Sequence, residues 1–175
     1  MEIILGKPED QVVVETILVE ATRRIQQTGS SQWATILTGS EKEIIATKLA
    51  QGEVYLAVKG GKNIGVFYLS PEAGEWDQNL WQAYPTTGKT YYLHKLALGD
   101  EFVGQGRAGE ILNLVQAMFS NTEEKITIRL DCIRTQEYLN MLYPRSGFEL
   151  IGTIGEIDTG TGKAEFNLYQ WQSED

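Results

Sequence analysis

Residues 93–109 read L-H-K-L-A-L-G-D-E-F-V-G-Q-G-R-A-G, an apolar strand pattern followed by a glycine-rich loop. The large side chains from Tyr91 to Leu98 predict a β-strand, and apolar residues at helical spacing predict a helix from Gly106 to Ser120. A glycine-rich loop that leads into a helix presents free backbone N–H groups and the positive end of the helix dipole. This stretch therefore predicts a strand–loop–helix unit with an anion site, and Arg107 lies next to that site.

The glycines of this loop also match the dinucleotide fingerprint G-x-G-x-x-G, through Gly104, Gly106 and Gly109. Asp131, about twenty residues further on, stands where that fingerprint has its ribose-binding carboxylate. Two observations count against this interpretation. Gly99 to Val103 separate the strand from the first glycine, and too little chain follows Asp131 for the strands that the complete fold needs. An NAD(P)-binding module is therefore the less favoured alternative.

A second glycine motif, residues 83–90, reads A-Y-P-T-T-G-K-T and resembles the phosphate-binding loop of nucleotide hydrolases. Such a loop must follow a strand and begin a helix, because N–H groups and the helix dipole converge there on phosphate. In this sequence the order is reversed, since an irregular segment precedes the motif and the strand Tyr91 to Leu98 follows it. We interpret the match as coincidental and its glycine and threonines as residues of a turn.

The whole chain predicts a mixed α/β (α+β) fold, with elements in the order β-α-α-β-β-β-α-β-α-β-β and helices on both faces of a central mixed sheet. Gly60 and Gly61 between two β-rich runs predict a hairpin, and Ser40 with Glu43 predicts a capping box on the second helix. We find no period from Pro71 to Lys89. The predicted strands are 3–5, 54–58, 64–69, 91–98, 126–130, 148–154 and 165–171, and the predicted helices are about 9–27, 40–52, 106–120 and 135–143.

Length and charge restrict the classes of function. The 175 residues, 42% of them hydrophobic, fit one compact domain over residues 1–175. With 15 basic and 24 acidic residues the net charge is -9, which argues against nucleic acid and anionic membranes as partners. Cys132 is the single cysteine, so an intrachain disulfide and a cysteine-rich metal site are excluded. Without a secretion signal or a long apolar run, we expect a cytoplasmic protein.

Four motifs follow one another between Leu93 and Gly152: L-H-K-L-A-L, V-G-Q-G-R-A-G-E-I-L, I-R-L-D-C and Y-P-R-S-G-F-E-L-I-G. In order and spacing they resemble the acyl-CoA-binding core of the GNAT superfamily of N-acetyltransferases, whereas the N-terminal half matches only in element order. The resemblance implies a GNAT-like fold and an enzyme that transfers acetyl from acetyl-CoA, as cosubstrate and without a metal, directly to an amine. It implies that coenzyme A is contacted by Leu96, Ala97, Leu98, Val103, Gly104, Gln105, Gly106, Arg107, Ala108, Gly109 and Gln136.

In this resemblance the loop amides hold the pyrophosphate of coenzyme A, and the backbone of Leu96 to Leu98 hydrogen-bonds its pantetheine arm. Two positions depart from the family pattern. Val103 stands where arginine or glutamine is usual, which removes a side-chain contact but leaves the backbone cradle. Gln136 stands where asparagine is usual, seven residues before Tyr143, and keeps an amide that is one methylene longer.

The resemblance places Tyr143 beside the sulfur of coenzyme A as general acid. The chemistry needs such a donor for the leaving thiolate, and the attacking amine must lose a proton. His94, the single histidine, has a pKa that suits the base. A buried, hydrogen-bonded core histidine is an equal interpretation, and a water chain or a carboxylate would then be the base. For Asp131 and Cys132 we expect structural roles.

The acceptor is expected to be a small-molecule amine or a peptide, and the acidic balance favours a cationic one. The segment 71–89 combines carboxylates with aromatic side chains, which would suit a cation; a solvated loop with partly packed tryptophans is the other interpretation. These side chains are Glu72, Glu75, Asp77, Trp76, Trp81 and Tyr84. The departures at Val103 and Gln136 leave a non-catalytic acyl-CoA sensor as an alternative, and both monomer and homodimer stay open.

Overall fold

A seven-stranded mixed β-sheet with flanking helices forms the fold in the computed structural model, which describes residues 1–174. The strands are β1 (Glu2–Leu5), β2 (Val54–Lys59), β3 (Lys62–Ser70), β4 (Lys89–Leu98), β5 (Ile126–Ile133), β6 (Glu149–Asp158) and β7 (Lys163–Gln172), in the sheet order β1-β2-β3-β4-β5-β7-β6. The helices are α1 (Gln11–Gln27), α2 (Ala34–Leu37), α3 (Lys42–Ala50), α4 (Glu75–Trp81), α5 (Arg107–Ala117) and α6 (Glu137–Arg145). The predicted fold class is confirmed.

Strand pairing shows where the ladder between β4 and β5 ends. β2 and β3 form the predicted hairpin, with φ of 57° at Gly60 and 75° at Gly61, a conformation that glycine adopts at little cost. β1 pairs with β2, and β7 with β5 and β6, all antiparallel. β4 pairs with β5 in parallel from Lys89↔Ile126 to Tyr92↔Arg129. The part of β4 that carries predicted site residues therefore lies beyond this parallel ladder.

By its internal contacts the chain divides into two compact units. The first comprises Met1–Leu69 with His94–Ile111, and the second comprises Ser70–Leu93 with the chain from Leu112 onward. The core of the first unit is formed by the predicted apolar face of α1, by α3 and by residues of β2 to β4. That one domain covers residues 1–175 stays a prediction.

The core of the second unit includes a helix that the sequence analysis missed. α4 lies in the segment for which we found no period, and its Leu80 and Trp81 pack with Tyr92 and Leu168. Isoleucines of β6 cover this cluster at its edge. A helix of seven residues is too short to show a period in sequence, so the prediction of a loop was wrong there.

Two further local predictions, a helix cap and the end of a strand, are wrong. Glu41, not Ser40, is the N-cap of α3, and the Ser40 hydroxyl donates to the carbonyl of Thr35 at 3.1 Å, so the predicted capping box is absent. β5 runs on to Ile133, which puts Cys132 inside a strand rather than after it.

None of the described helices, within residues 1–174, is long and apolar enough to cross a membrane.

Candidate functional site

The glycine loop, defined as Val103–Gly109, leaves its backbone open to a ligand. After β4 the chain makes a 3-10 turn at Asp100–Phe102, and α5 begins at Arg107. Gly104 and Gly106 have φ of 74° and 73°, which favour glycine. No atom lies within 4 Å of the position that a Cβ would take on either glycine. A ligand can therefore approach the main chain closely at both positions.

The N–H groups of this loop are also unused. The first N–H groups of any α-helix lack an intrahelical acceptor, and in α5 the first helical contact is the Glu110 N–H donating to the Gly106 carbonyl at 3.3 Å. Within residues 1–174 the backbone N–H groups from Gly104 to Gly109 donate to no protein acceptor. The loop therefore presents a row of N–H donors, the feature on which the predicted anion site depends.

The polar side chains of the loop brace the loop itself. Arg107 donates to both carboxylate oxygens of Glu110, at 2.8 and 3.2 Å, and this hydrogen bond lowers the pKa of the Glu110 carboxyl. Gln105 donates its side-chain amide to the carbonyl of Glu101 at 2.8 Å. Val103 is 43% exposed and offers no hydrogen bond from its side chain. The positive charge of Arg107 is thus compensated inside the loop.

Two residues of α1 fix the end of β4, and the sequence analysis missed both. Arg24 donates to the carbonyl of Leu98 at 2.6 Å and pairs with the carboxylate of Asp100. Glu20 accepts a hydrogen bond from the Asp100 N–H at 2.8 Å. Glu20 and Arg24 are four residues apart, the spacing that puts two side chains on one helix face, and this was the available signal. The Leu98 carbonyl is therefore already engaged.

The middle of β4 departs from regular strand geometry. Lys95 has φ of 54°, which interrupts the extended backbone between His94 and Leu96. The predicted side-chain alternation from Tyr92 to Leu98 does not hold across it, because that period requires a continuous extended strand. His94 is half-buried and Ala97 is buried. His94 is consequently not a fully buried core residue.

Tyr143 is buried on α6 in the second unit, with 5% of its surface exposed. Its ring lies 5.3 Å from the ring of Tyr169 and 6.3 Å from that of Phe148. Burial raises the pKa of the Tyr143 hydroxyl well above its ordinary value, and the nearby Cys132 and Asp131 raise it further. In the described chain this hydroxyl has no hydrogen-bond partner, so it is a protonated donor that remains available.

Asn140, one helical turn before Tyr143, joins three elements through its side-chain amide. Its Nδ2 donates to the carbonyls of Ile133, Arg134 and Gln136, at 3.2, 3.2 and 2.9 Å. Its Oδ1 accepts hydrogen bonds from Asn167 Nδ2 and from the Tyr169 hydroxyl, each at 2.7 Å, and from Cys132 Sγ at 3.5 Å. Because Tyr169 packs on Tyr143, Asn140 fixes the surroundings of that ring. The sequence analysis missed it, although asparagine is disfavoured inside helices and usually has a reason there.

Gln136 and Cys132 lie close to this amide. Gln136 is the N-cap of α6 and is half-buried, and its side chain makes no cap hydrogen bond. Cys132 is 2% exposed, and burial raises the pKa of its thiol to about 12, with Asp131 contributing. At neutral pH the thiol stays protonated, which fits the expected structural role rather than a nucleophile.

The aromatic segment at 71–89 is partly built into the second unit. Asp77 and Trp81 are buried on α4, and the guanidinium of Arg129 lies 4.3 Å from the centre of the Trp81 ring. Arg129 also donates to the carbonyl of Tyr84. Glu72 and Glu75 are exposed. One aromatic face predicted for a ligand cation is thus covered by an internal cation, and the cationic nature of the acceptor stays a prediction.

Comparisons with known proteins agree with this architecture, although no protein-family profile matches the chain. The uncharacterised N-acetyltransferase YesJ of Bacillus subtilis (strain 168) is 31% identical over 144 residues, which cover 82% of this chain and 79% of that protein. The crystal structure of a GNAT-family acetyltransferase from Listeria monocytogenes 4b F2365 superposes with a TM-score of 0.75 at 27% identity, covering 97% of this chain and 93% of that one.

A third structure is similar in fold alone, since its sequence identity is 12%. It is yncA from Salmonella typhimurium, described as an acetyltransferase and solved with its cofactor acetyl-CoA. Its TM-score is 0.67, and the match covers 100% of this chain and 95% of that chain.

Proposed function

Because the chain belongs to the GNAT superfamily of N-acetyltransferases, we propose that it transfers the acetyl group of acetyl-CoA directly to the amine of a small molecule or a peptide. The observation that carries the proposal is the glycine loop, which is open at Gly104 and Gly106 and whose N–H groups from Gly104 to Gly109 meet no acceptor among residues 1–174. Such a row at a helix N-terminus suits the pyrophosphate of coenzyme A. A structural neighbour of the same fold was solved with acetyl-CoA.

The other coenzyme contacts in this proposal come from β4 and α6. Leu96 and Ala97 would hydrogen-bond the pantetheine arm through their backbone, whereas the Leu98 carbonyl is engaged by Arg24. The unused amide of Gln136 would reach the coenzyme from the start of α6. Val103 and Arg107 would contribute little through their side chains, since one is apolar and the other is paired with Glu110.

The transfer would proceed in one ternary complex. The amine nitrogen attacks the thioester carbon, the carbon–sulfur bond breaks, and the acetyl group ends on nitrogen. The departing thiolate takes the proton of the Tyr143 hydroxyl, and the amine loses a proton to a base. The Tyr143 hydroxyl is protonated at neutral pH, as the role requires, although burial raises its pKa and so adds nothing to its acidity. The buried Cys132 thiol gives no reason to invoke an acyl-enzyme.

His94 is the proposed base, directly or through water. It is half-buried on β4, two residues before Leu96, so it lies along the strand segment that would hold the acyl end of the coenzyme. Replacing His94 by alanine should remove from the pH–rate profile the limb that belongs to the general base. An unchanged profile would assign the base to water or a carboxylate.

Two measurements test the proposal. Acetyl-CoA at about a hundred times its dissociation constant should stabilise the folded protein by roughly 2.7 kcal/mol, read as a rise in melting temperature, while NAD and NADP should not. Release of free thiol from acetyl-CoA should then be followed with a panel of amines, polyamines, amino acids and lysine peptides.

Three outcomes separate the possibilities. No stabilisation by acetyl-CoA or coenzyme A contradicts the proposed cosubstrate. Stabilisation by NAD or NADP instead supports the dinucleotide interpretation of the loop. Binding of acetyl-CoA without thiol release for any amine in the panel contradicts the proposed transfer.

A further inference from the structure

Two residues with unusual backbone geometry meet in the first unit. Trp33 and Lys95 are the non-glycine residues with positive φ among residues 1–174, at 62° and 54°. The Lys95 ammonium lies 4.8 Å from the centre of the Trp33 ring. A non-glycine residue in this conformation is strained, and such residues concentrate at functional sites. We call Trp33, Glu41, Tyr68 and Lys95 the Lys95 cluster.

The Lys95 ammonium has hydrogen-bond donors to spare. Its side chain is 20% exposed, and the nearest carboxylate oxygen, Glu41 Oε1, is 3.9 Å away, which is too far for a hydrogen bond. That oxygen already accepts a hydrogen bond of 2.6 Å from the Thr35 hydroxyl. No acceptor within the described residues takes a hydrogen bond from Lys95 Nζ, although an ammonium carries three donors. The ion pair with Glu41 and the Trp33 ring offset the charge, so what the ammonium lacks is an acceptor for its N–H donors.

Tyr68 lies close enough to Glu41 for that carboxylate to act on its hydroxyl, and it adds a second unused polar group to the cluster. Its side chain is 3% exposed, and its hydroxyl is buried without a hydrogen-bond partner in the described part of the chain. Burial and the nearby Glu41 raise the pKa of this hydroxyl, which keeps it a donor. A buried hydroxyl without a partner is destabilising and calls for an explanation. A ligand oxygen would satisfy it.

The position of Lys95 connects this cluster to the transfer reaction. Lys95 directly precedes Leu96 and Ala97, the strand segment that would hold the pantetheine arm. A strand advances about 3.3 Å per residue, so Lys95 lies close to the acyl end of the coenzyme if the proposed function holds. Donors at this place would face the acceptor, and two unused donors select an acceptor that carries anionic oxygens.

We infer that the Lys95 cluster binds the carboxylate of the acceptor, so that the substrate is an amine with a carboxylate, as in an amino acid. This inference rests on the proposed function for its location. Lys95 Nζ supplies the charge-assisted hydrogen bond, the Tyr68 hydroxyl supplies a second donor, and the Trp33 ring holds the ammonium in place.

The test compares acceptors that differ only in that carboxylate. Thiol release is measured with the common L-amino acids and with the C-terminal amide of each. Wild-type protein should favour the acid over its amide by about 10- to 100-fold in kcat/KM, the range of a charged hydrogen bond. Lys95→Gln should abolish this preference by raising KM for the acid while leaving the amide unchanged. Lys163→Gln is the matched control and should keep the preference, because Lys163 is exposed and belongs to the second unit.

A second readout does not need turnover. The ¹³Cε signals of lysines labelled with ¹³C are recorded in coenzyme-saturated protein, and the Lys95 signal is assigned from its loss in Lys95→Gln. Titration with an amino acid should shift this signal, and titration with its amide should not. A shift without any thiol release would support the inference and contradict the proposed function.

Other results overturn the inference while the proposed function stands. One such result is a kcat/KM for the amide that equals or exceeds that for the acid, as a cationic acceptor would show. Another is a preference for the acid that persists in Lys95→Gln. A Lys95 ¹³Cε signal that does not shift on titration with an amino acid also overturns the inference. Stabilisation of each variant by acetyl-CoA shows that the variant is folded.

Discussion

The glycine loop and the surroundings of Tyr143 are built in opposite ways. In the loop the exposed functional groups belong to the main chain, and the polar side chains brace each other. Around Tyr143 the functional group is one buried side chain, and its neighbours Tyr169 and Cys132 are held by Asn140. A site made of backbone groups should keep its function when side chains are substituted, as long as the φ angles of its main chain are unchanged. A site made of a side chain depends on every residue that holds it.

The largest difference between the two regions should appear in Tyr143→Phe. Loss of a general acid typically costs about 10²- to 10⁴-fold in rate. We therefore expect kcat to fall by that amount, while the affinity for coenzyme A, which we assign to the loop, stays within about twofold. Thiol-release kinetics and calorimetric titration measure the two quantities. An unchanged kcat would remove Tyr143 from the acid role.

Asn140→Ala should be the next most damaging change. It removes the acceptor of the Tyr169 hydroxyl and of the Asn167 amide and a donor to the Arg134 carbonyl, whereas the Ile133 and Gln136 carbonyls keep backbone N–H donors. Each buried group that loses its hydrogen bond costs about 1–3 kcal/mol, so we expect a loss of roughly 2–5 kcal/mol in the free energy of unfolding by urea, together with a lower kcat. Asn121→Ala, at an exposed position, is the control and should change stability by less than about 0.5 kcal/mol. Equal stability of the two variants would contradict the central role of Asn140.

The thiol of Cys132 should make the stability of this region depend on pH. The ordinary pKa is 9.0, and burial raises that of Cys132 to about 12. Above pH 9 the unfolded chain loses a proton that the folded chain keeps, so the free energy of unfolding falls by about 1.4 kcal/mol per pH unit up to about pH 12. Urea unfolding at pH 8.5, 9.5 and 10.5 measures this slope, and Cys132→Ala should reduce it by that amount. A slope that is the same in both proteins would place its origin elsewhere.

Gly106→Ala tests the backbone half of the comparison. Space is available for the methyl group, but φ of 73° is unfavourable for alanine by about 1–2 kcal/mol. We expect coenzyme A to bind about tenfold more weakly, with kcat at saturation nearly unchanged. Gly155→Ala, at a glycine with open space and no positive φ, is the control and should bind normally. If Gly106→Ala binds as tightly as wild type, the loop does not hold the pyrophosphate.

Val103→Gln should have the smallest effect. It restores the polar side chain that is usual in the family, at an exposed position of the loop. One added hydrogen bond is worth about 0.5–1.5 kcal/mol, so coenzyme A should bind about two- to tenfold more tightly by calorimetric titration. A larger gain would mean that side chains, and not the backbone, dominate this site.

The same comparison explains which features could be predicted from the sequence. The roles of Gly104 and Gly106 could be predicted because a positive φ angle favours glycine, and because the motif fixes the spacing between the two. The hairpin around Gly60 and Gly61 was predicted correctly for the same reason. Such features are local, so their cause and their sequence signal coincide.

The features that were missed depend on partners distant in sequence. Asn140 is bound to Asn167 and Tyr169, which no local pattern connects to it. The positive φ of Lys95 also has no sequence signal, since lysine usually avoids that conformation. The helix α4 is determined by packing of Leu80 and Trp81 and is too short for a period.

The pairing of Arg107 with Glu110 has a consequence for the effect of salt. Phosphate sites made of lysine and arginine attract their ligand through net positive charge, and their affinity falls as ionic strength rises, because salt screens that charge. The glycine loop presents dipoles and a compensated arginine, with Asp100 and Glu101 beside them. The loop has little net positive charge for salt to screen, so the affinity for coenzyme A should change little across a wide range of salt concentration.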